Sequence, residues 1–283
     1  MKKTVILPNS SKDPGYGCTA LVVRELFGYG AEIYMPEECR ESGITEGVTY
    51  LREGLCDGAD VIIVLGGDGS ILDAARIAYP HGIPVLGINL GRVGYMATIE
   101  KDELSLLGHL FDGDYTIDER MMLEARIIRE GETVLVTPPA LNEIVLTRGA
   151  LSRMLDIELQ CNGMFVGEYR ADGLIFATPT GSTAYSMSAG GPVLDPCLEA
   201  VSVTPICPHY LSTRPIVFSD SAQFTASAKN TEEWYMTVDG KENFTLRSDD
   251  MVMIAMSAYA TRLVDIKKNA FYNVLRKKTA EKQ

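Results

Sequence analysis

The stretch VIIVLGGDGSILDAAR, residues 61–76, runs five apolar residues into Gly66, Gly67, Asp68 and Gly69. Apolar residues on consecutive positions read as a strand covered on both faces. The residues after Gly69 read as a helix. A carboxylate among glycines thus stands at the carboxyl end of a strand, the edge where α/β sheets bind ligands. Glycines permit positive φ and let the backbone approach a phosphate closely. The helix N-terminus turns its positive end to the same place. A carboxylate there would repel bare phosphates. It suits the place if it holds a magnesium ion, accepts a proton from an attacking hydroxyl, or does both. This is a phosphoryl-transfer arrangement without a Walker lysine, because G-x-x-x-x-G-K-[ST] does not occur in the chain. The plain alternative is a strand-to-helix turn with Asp68 as its N-cap.

A second glycine turn, GINLGRVG at 87–94, ends the next strand. Two such turns on neighbouring strands favour a nucleotide site. LNEIVLTRG, 141–149, sets Asn142 and Glu143 at a strand start. That pair can read an adenine edge or hold ribose hydroxyls, or it can cap an edge strand. RADGLIFATPTGSTAYSMSAGGP, 170–192, gathers small and hydroxylated residues around Gly181, followed by Tyr185 and a Gly-Gly-Pro. A core would not collect so many small polar groups. Such a loop offers many N–H and O–H donors to a ligand rich in oxygens. The competing reading is a flexible linker.

The elements around these motifs fall into two kinds. Strands at 4–8, 31–35, 59–66 and 83–89 alternate with helices at 17–30, at VTYLREGL (48–55) and after Gly69. This alternation predicts an α/β N-terminal domain with a parallel sheet and right-handed crossovers. Near residue 115 the period changes to short strands, with CNG and REGE as hairpin turns. That predicts a mainly antiparallel all-β C-terminal domain with one helical insertion near 182–204. The tail, FYNVLRKKTAEKQ, returns to helical spacing.

Composition excludes several classes. The net charge of -12 over 283 residues argues against a nucleic-acid face. The six cysteines contain no C-x-x-C pair, and with three histidines no zinc, redox or His-rich metal motif is indicated. No stretch approaches a membrane span, and MKKTVILPNS lacks the apolar run of a signal peptide. A soluble, cytoplasmic protein is expected.

GGDG at 66–69, GINLGRVGY at 87–95, NE at 142–143 and DG…TPTGSTAYSMSAGGP at 172–192 resemble, in that order, the motifs of the NAD kinases. PHYLSTRPIVF (208–218) and TVDGK (237–241) extend the resemblance to nearly the whole chain. GGDG alone is shared with phosphofructokinases and diacylglycerol-type lipid kinases, whereas TPTGSTAYS is specific. The resemblance implies transfer of the γ-phosphoryl of ATP to the 2′-hydroxyl of the adenosine ribose of NAD, giving NADP, with a divalent metal ion, Mg2+. It implies Asp68 as proton acceptor, with Gly66, Gly67 and Gly69 forming the phosphate loop and Gly69 beside the substrate. Tyr95 would line the site, Asn142 and Glu143 would hold the adenosine half, and Asp172 would lie near the nicotinamide. Thr183, Ala184, Tyr185, Ser186, Met187 and Ser188 would form the adenine- and ribose-binding segment. Arg153 and Arg170 match positions where the family carries a base. The implied fold divides the chain into 1–115 plus 260–283, the α/β part with the tail packed back on it, and 116–259, the β-rich NAD-binding part. The resemblance also implies a homodimer or homotetramer.

The chain departs from the family pattern at Asp73, where many relatives carry Arg or His, at Lys241, where glutamine is common, and at Arg92, where many have His or Asn. The donor, ATP or polyphosphate, stays open, as do NAD or NADH preference and feedback by NADPH. A lipid kinase would show a membrane-facing element, which is absent. A phosphofructokinase would not carry the TPTGSTAYS loop. A non-catalytic dinucleotide sensor would keep that loop and could lose Asp68, which is present.

Overall fold

The computed structural model describes residues 2–91, 94–149, 153–210, 212–268 and 270–280. Arg92 lies outside them. The chain divides into two compact units, Met1–Glu119 with Thr261–Gln283, and Arg120–Ala260.

Unit 1 begins β1 (Lys3–Pro8), α1 (Gly17–Gly28), β2 (Glu32–Pro36), β3 (Val48–Leu51), β4 (Val61–Gly66), α2 (Asp68–Ala78), β5 (Val85–Asn89), β6 (Ile99–Glu100) and α3 (His109–Asp112). Next comes β7 (Thr116–Arg129), whose first residues belong to this unit. Its strands pair in the order β3-β2-β1-β4-β5, every pairing parallel. All six residues of β4 are buried, as its unbroken Val/Ile/Leu run requires. α1 turns Thr19, Val22, Val23 and Leu26 inward, one helical face.

Unit 2 continues with β8 (Glu132–Val136), β9 (Glu143–Arg148), β10 (Leu155–Cys161), β11 (Met164–Ala171), β12 (Gly173–Ala177), α4 (Tyr185–Ser188), β13 (Ala200–Ile206) and β14 (Ile216–Ser219). Then follow β15 (Phe224–Ala228), β16 (Glu233–Val238), β17 (Glu242–Arg247) and β18 (Met251–Asp265). One sheet runs β14-β13-β12-β9-β16-β17, antiparallel throughout. In the other, β11-β10-β15-β18 pair antiparallel, β7 joins at β18, and β8 pairs antiparallel with β7. Their inner faces share one core that includes Ile157, Phe176, Phe224, Trp234 and Ile254.

β18 carries the chain back, and Leu263 pairs parallel with Val85 on β5. Val264 and Ile266 are 1% and 8% exposed in the core of unit 1. The last helix is α5 (Ala270–Ala280). The expected fold class therefore holds: a parallel α/β part, a mainly antiparallel β part, and a tail that returns to the first.

Both anticipated hairpin turns are present. Asn162-Gly163 joins β10 to β11 with φ 52 and 74, and Glu130-Gly131 joins β7 to β8 with φ 52 and 85. Positive φ at both central residues is the type I′ geometry that matches strand twist.

Two expectations fail. Residues 48–51 of VTYLREGL form strand β3, parallel to β2, and not a helix. Val48, Thr49 and Tyr50 are β-branched or aromatic and fit a pleated surface better than a helix. The helical insertion near 182–204 is reduced to a 3-10 turn at Gly181–Thr183 and the single turn α4, and Ala200–Ile206 is a fully buried strand. Gly190, at φ 88, and Pro192 stop the helix at once. Among the described residues no helix is long and apolar enough to cross a membrane. All six cysteines are free.

Candidate functional site

In unit 1 the strand order reverses between β1 and β4, the switch point where open α/β sheets bind ligands. The segment leaving β4 is the Gly66–Asp68 turn. Gly67, at φ -136 and ψ -169, is extended, and none of Gly66, Gly67 and Gly69 has positive φ. These glycines supply closeness rather than unusual dihedrals. A Cβ on Gly66 would collide with Ser70, and one on Gly67 would sit 2.6 Å from Lys12 Nζ. At Gly69 a Cβ would meet nothing within 4 Å.

Gly67 is the N-cap, so Asp68 is the first residue of α2 and not its cap. Its carboxylate reaches across to the second glycine turn. One oxygen accepts Tyr95 N–H at 2.8 Å and the other accepts Met96 N–H at 3.1 Å. A Cβ on Gly94 would collide with this same carboxylate. Leu90 N–H donates to Gly66 O at 2.8 Å, so the two glycine turns are joined directly. Asn89, 1% exposed, fixes the second turn by donating to Glu100 at 2.9 Å and accepting Gly91 N–H at 3.1 Å. The Tyr95 ring is flanked by Phe271 of α5, centroids 5.9 Å apart, and by Lys278 Nζ, 4.1 Å from its centroid. Burial, and then the charge of Asp68, pushes the Tyr95 phenol above its ordinary value.

Unit 2 gathers most of the remaining candidates. Asp239, buried with φ 51, accepts the N–H groups of Leu141, Asn142 and Glu143 at 3.0, 2.8 and 3.1 Å. It thereby sets the backbone of the Asn–Glu pair. Asn142 O in turn accepts Thr178 N–H at 2.9 Å, and a Cβ on Gly181 would collide with that oxygen. The TPTGSTAYS segment is thus packed on the Asn–Glu strand start. Burial, reinforced by Asp239, pushes the Glu143 carboxyl to about 7, while a Tyr185 backbone hydrogen bond opposes the shift. Glu143 Oε2 is buried with no hydrogen-bond partner. Burial, then the neighbouring Cys207, Asp172 and Glu143, raises the Tyr185 phenol, so these groups share one electrostatic neighbourhood.

The loop's hydroxyls are spent differently from the expectation that they face a ligand. Thr178 Oγ1 donates to Leu141 O at 2.6 Å, and Ser182 Oγ to Pro179 O at 2.6 Å. Thr183 Oγ1 donates to Thr180 O at 3.1 Å, and Ser186 Oγ meets Thr204 Oγ1 at 3.2 Å. These groups build the loop. What it shows outward is Tyr185, Met187 and Ser188, with Thr183 and Ala184 half-buried.

Asp172 is paired with Arg148 Nε at 2.6 Å. Arg170 lies on β11 beside Asp156, 3.9 Å away, and Arg153 is exposed just before β10. The arginine on Asp172 is therefore Arg148, which sequence reading passed over. It passed over Asp239 and Lys12 as well. The one available signal was an acid in a tight Asp-Gly turn, for Asp239. Among the described residues no group of three or more His, Cys, Asp or Glu side chains could hold a metal ion.

Residues 19–115 match the family model of the ATP-NAD kinase N-terminal domain, and residues 141–266 that of the ATP-NAD kinase C-terminal domain. A NAD kinase of Natranaerobius thermophilus is 39% identical over 280 residues, 98% of each chain. Among solved structures, an NAD kinase of Archaeoglobus fulgidus in complex with ATP has TM-score 0.74 and 26% identity over 98% of each chain. Yeast NADH kinase complexed with NADH shares the fold, with TM-score 0.89 at 23% identity over 98% of this chain and 86% of that one. The chain belongs to the NAD kinase family of phosphotransferases.

Proposed function

We propose that this chain moves the γ-phosphoryl of ATP to the 2′-hydroxyl of the adenosine ribose of NAD, with Asp68 taking the hydroxyl proton. The observation that carries this reading is the Asp68 carboxylate, aimed by the Tyr95 and Met96 N–H groups and set beside a glycine with open space over it. The ATP complex of the Archaeoglobus fulgidus relative supports ATP as donor. Gly66, Gly67 and Gly69 form the phosphate loop. Asn142 and Glu143 hold the adenosine half, and the orphaned Glu143 Oε2 awaits a ligand donor. Thr183 to Ser188 line the adenine and ribose, with the exposed Tyr185 and Met187 offering apolar surface to a flat ring. Asp172 serves the nicotinamide end together with Arg148; Arg153 and Arg170 supply positive charge in the same unit, and Tyr95 lines the phosphate turn.

A magnesium ion fits this residue set. Each Asp68 oxygen accepts one N–H and keeps a lone pair. Magnesium is commonly held by one or two carboxylates and the substrate's phosphates rather than by a protein cage. When bound, it would offset phosphate charge. The protein's own part is to orient Asp68 and the phosphate turn. General-base help is worth about 10²–10⁴-fold; positioning and electrostatics supply the rest.

The test is NADP formation from NAD, ATP and magnesium, read with an NADP-specific dehydrogenase. Asp68→Asn should keep the fold and lower turnover by about a hundredfold or more. A folded, fully active variant would remove Asp68 from the mechanism. The reading includes a cytoplasmic location, which six free cysteines suit. It also includes a homodimer or homotetramer, to be measured by light scattering.

A further inference from the structure

Lys12 belongs to none of the motifs that carry the family resemblance, yet its ammonium lies at the phosphate turn. It stands in the segment that leaves β1, across the switch point from GGDG. That segment is fastened along its length. Asn9 N–H donates to Leu65 O at 2.9 Å, and Asn9 O accepts Lys12 N–H at 3.0 Å and Asp13 N–H at 2.9 Å. Asn9 Oδ1 accepts Ser11 N–H at 3.1 Å, and Asn9 Nδ2 donates to Ser70 Oγ at 2.9 Å. Beyond Lys12, the Asp13 carboxylate takes the N–H groups of Cys18 and Thr19 at 3.0 and 2.8 Å. The turn is thereby tied to β4, to the first turn of α2 and to the start of α1.

This fastening puts Lys12 Nζ against both glycine turns. It would be 2.6 Å from a Cβ on Gly67 and 3.8 Å from one on Gly91. Any other residue at Gly67 would crowd the ammonium. Among the described residues Lys12 makes no ion pair and no side-chain hydrogen bond, although acids outnumber bases by 38 to 26 in the chain. A compact charge with three donors, held beside side-chain-free backbone at a switch point, suits an anion with several oxygens. Resting on the reading of GGDG as the donor turn, we propose that Lys12 binds phosphate oxygens of the nucleoside triphosphate donor. It takes the place that the missing Walker lysine has in P-loop enzymes, but reaches the turn from β1 instead of from the loop itself.

The experiment compares the full chain with Lys12→Ala and Lys12→Arg. Initial rates are measured with ATP varied at saturating NAD and with NAD varied at saturating ATP. ADP binding is followed by calorimetry, which needs no turnover. Lys12→Ala should lower kcat/KM for ATP and weaken ADP binding by about tenfold or more, the size of a charge-assisted hydrogen bond. The KM for NAD should stay within about twofold, and Lys12→Arg should recover part of the loss. The melting temperature should not move, since the side chain is exposed. An unchanged kcat/KM for ATP in an active Lys12→Ala protein overturns the inference alone. So does an equal loss towards NAD. A wild-type chain that makes no NADP and binds no ADP would remove the reading of the turn and this inference together.

Discussion

Glu143 is 6% exposed, its Oε2 has no hydrogen-bond partner, and Asp239 adds a second negative charge nearby. These conditions push its carboxyl from 4.5 to about 7. The folded protein therefore holds this proton more tightly than the unfolded chain does. Stability from the protonated form is present below about 4.5 and is lost as pH rises to about 7. Glu143→Gln carries no charge to bury. Without ligand, it should gain stability relative to wild type between pH 5 and pH 8, by at most a few kcal/mol. Thermal melts of both proteins at the two pH values check this. An identical difference at both would mean that Glu143 is not held neutral by burial. On the proposed reading, bound NAD supplies the donor that Oε2 lacks, so the cost of leaving this acid unsatisfied is returned when substrate arrives.

At the scale of the element, α2 carries a glycine that its own geometry does not need. Gly69 sits in the first turn with ordinary helical backbone and open space where a Cβ would be. Alanine there should raise helix stability by about 0.5–1 kcal/mol. If the space belongs to the transferring phosphoryl, the added methyl should nonetheless lower kcat/KM by about tenfold or more, a loss that approaching steric overlap readily produces. A Gly69→Ala protein that melts higher and keeps full activity would show that no substrate comes near. The elements also show what local sequence can encode. The Asn162-Gly163 and Glu130-Gly131 hairpins were legible because type I′ turns depend on their own residues. The buried strand β4 and the turn that leads from it into α2 were legible from their own residues as well. β3 was misread because four residues between Gly47 and Gly54, three half-buried and one exposed, carry too little period to separate strand from helix. The hydroxyls of residues 178–186 were read as ligand donors although Ser182 and Thr183 donate back within the loop, to Pro179 and Thr180, while Thr178 and Ser186 find partners at Leu141 and Thr204, remote in sequence. The same distance hid Asp239, whose partners lie about a hundred residues earlier, and Lys12, whose position depends on the fold of a turn.

At the scale of the whole molecule, the divided composition of unit 1 has an energetic meaning. Its core draws on Val264 and Ile266 as well as the first 119 residues, and Leu263 sits beside Val85 on β5. Burying a Val, Leu or Ile side chain is worth about 1.5–3 kcal/mol, and whole domains are stable by about 5–15 kcal/mol. A chain ending at residue 260 should lose enough of that margin to unfold unit 1. Hydrogen exchange should then show β4 and β5 unprotected while β9, β12 and β16 of unit 2 stay protected. Protection of β5 in the shortened chain would show that the return segment is dispensable.

That return also orders events in time. Residues 120–260 are contiguous, so unit 2 has all of its sequence once residue 260 has been made, whereas unit 1 still waits for the segment from Thr261 onward. Until then β5 presents a partly open parallel edge, the kind of surface that chaperones cover and proteases find. A nascent or prematurely stopped chain already holds Asp68, the glycine turns and the Asn–Glu pair, yet has not closed the sheet that positions the first two. An unfinished copy should thus reach the cell as a client of quality control rather than as a slow kinase.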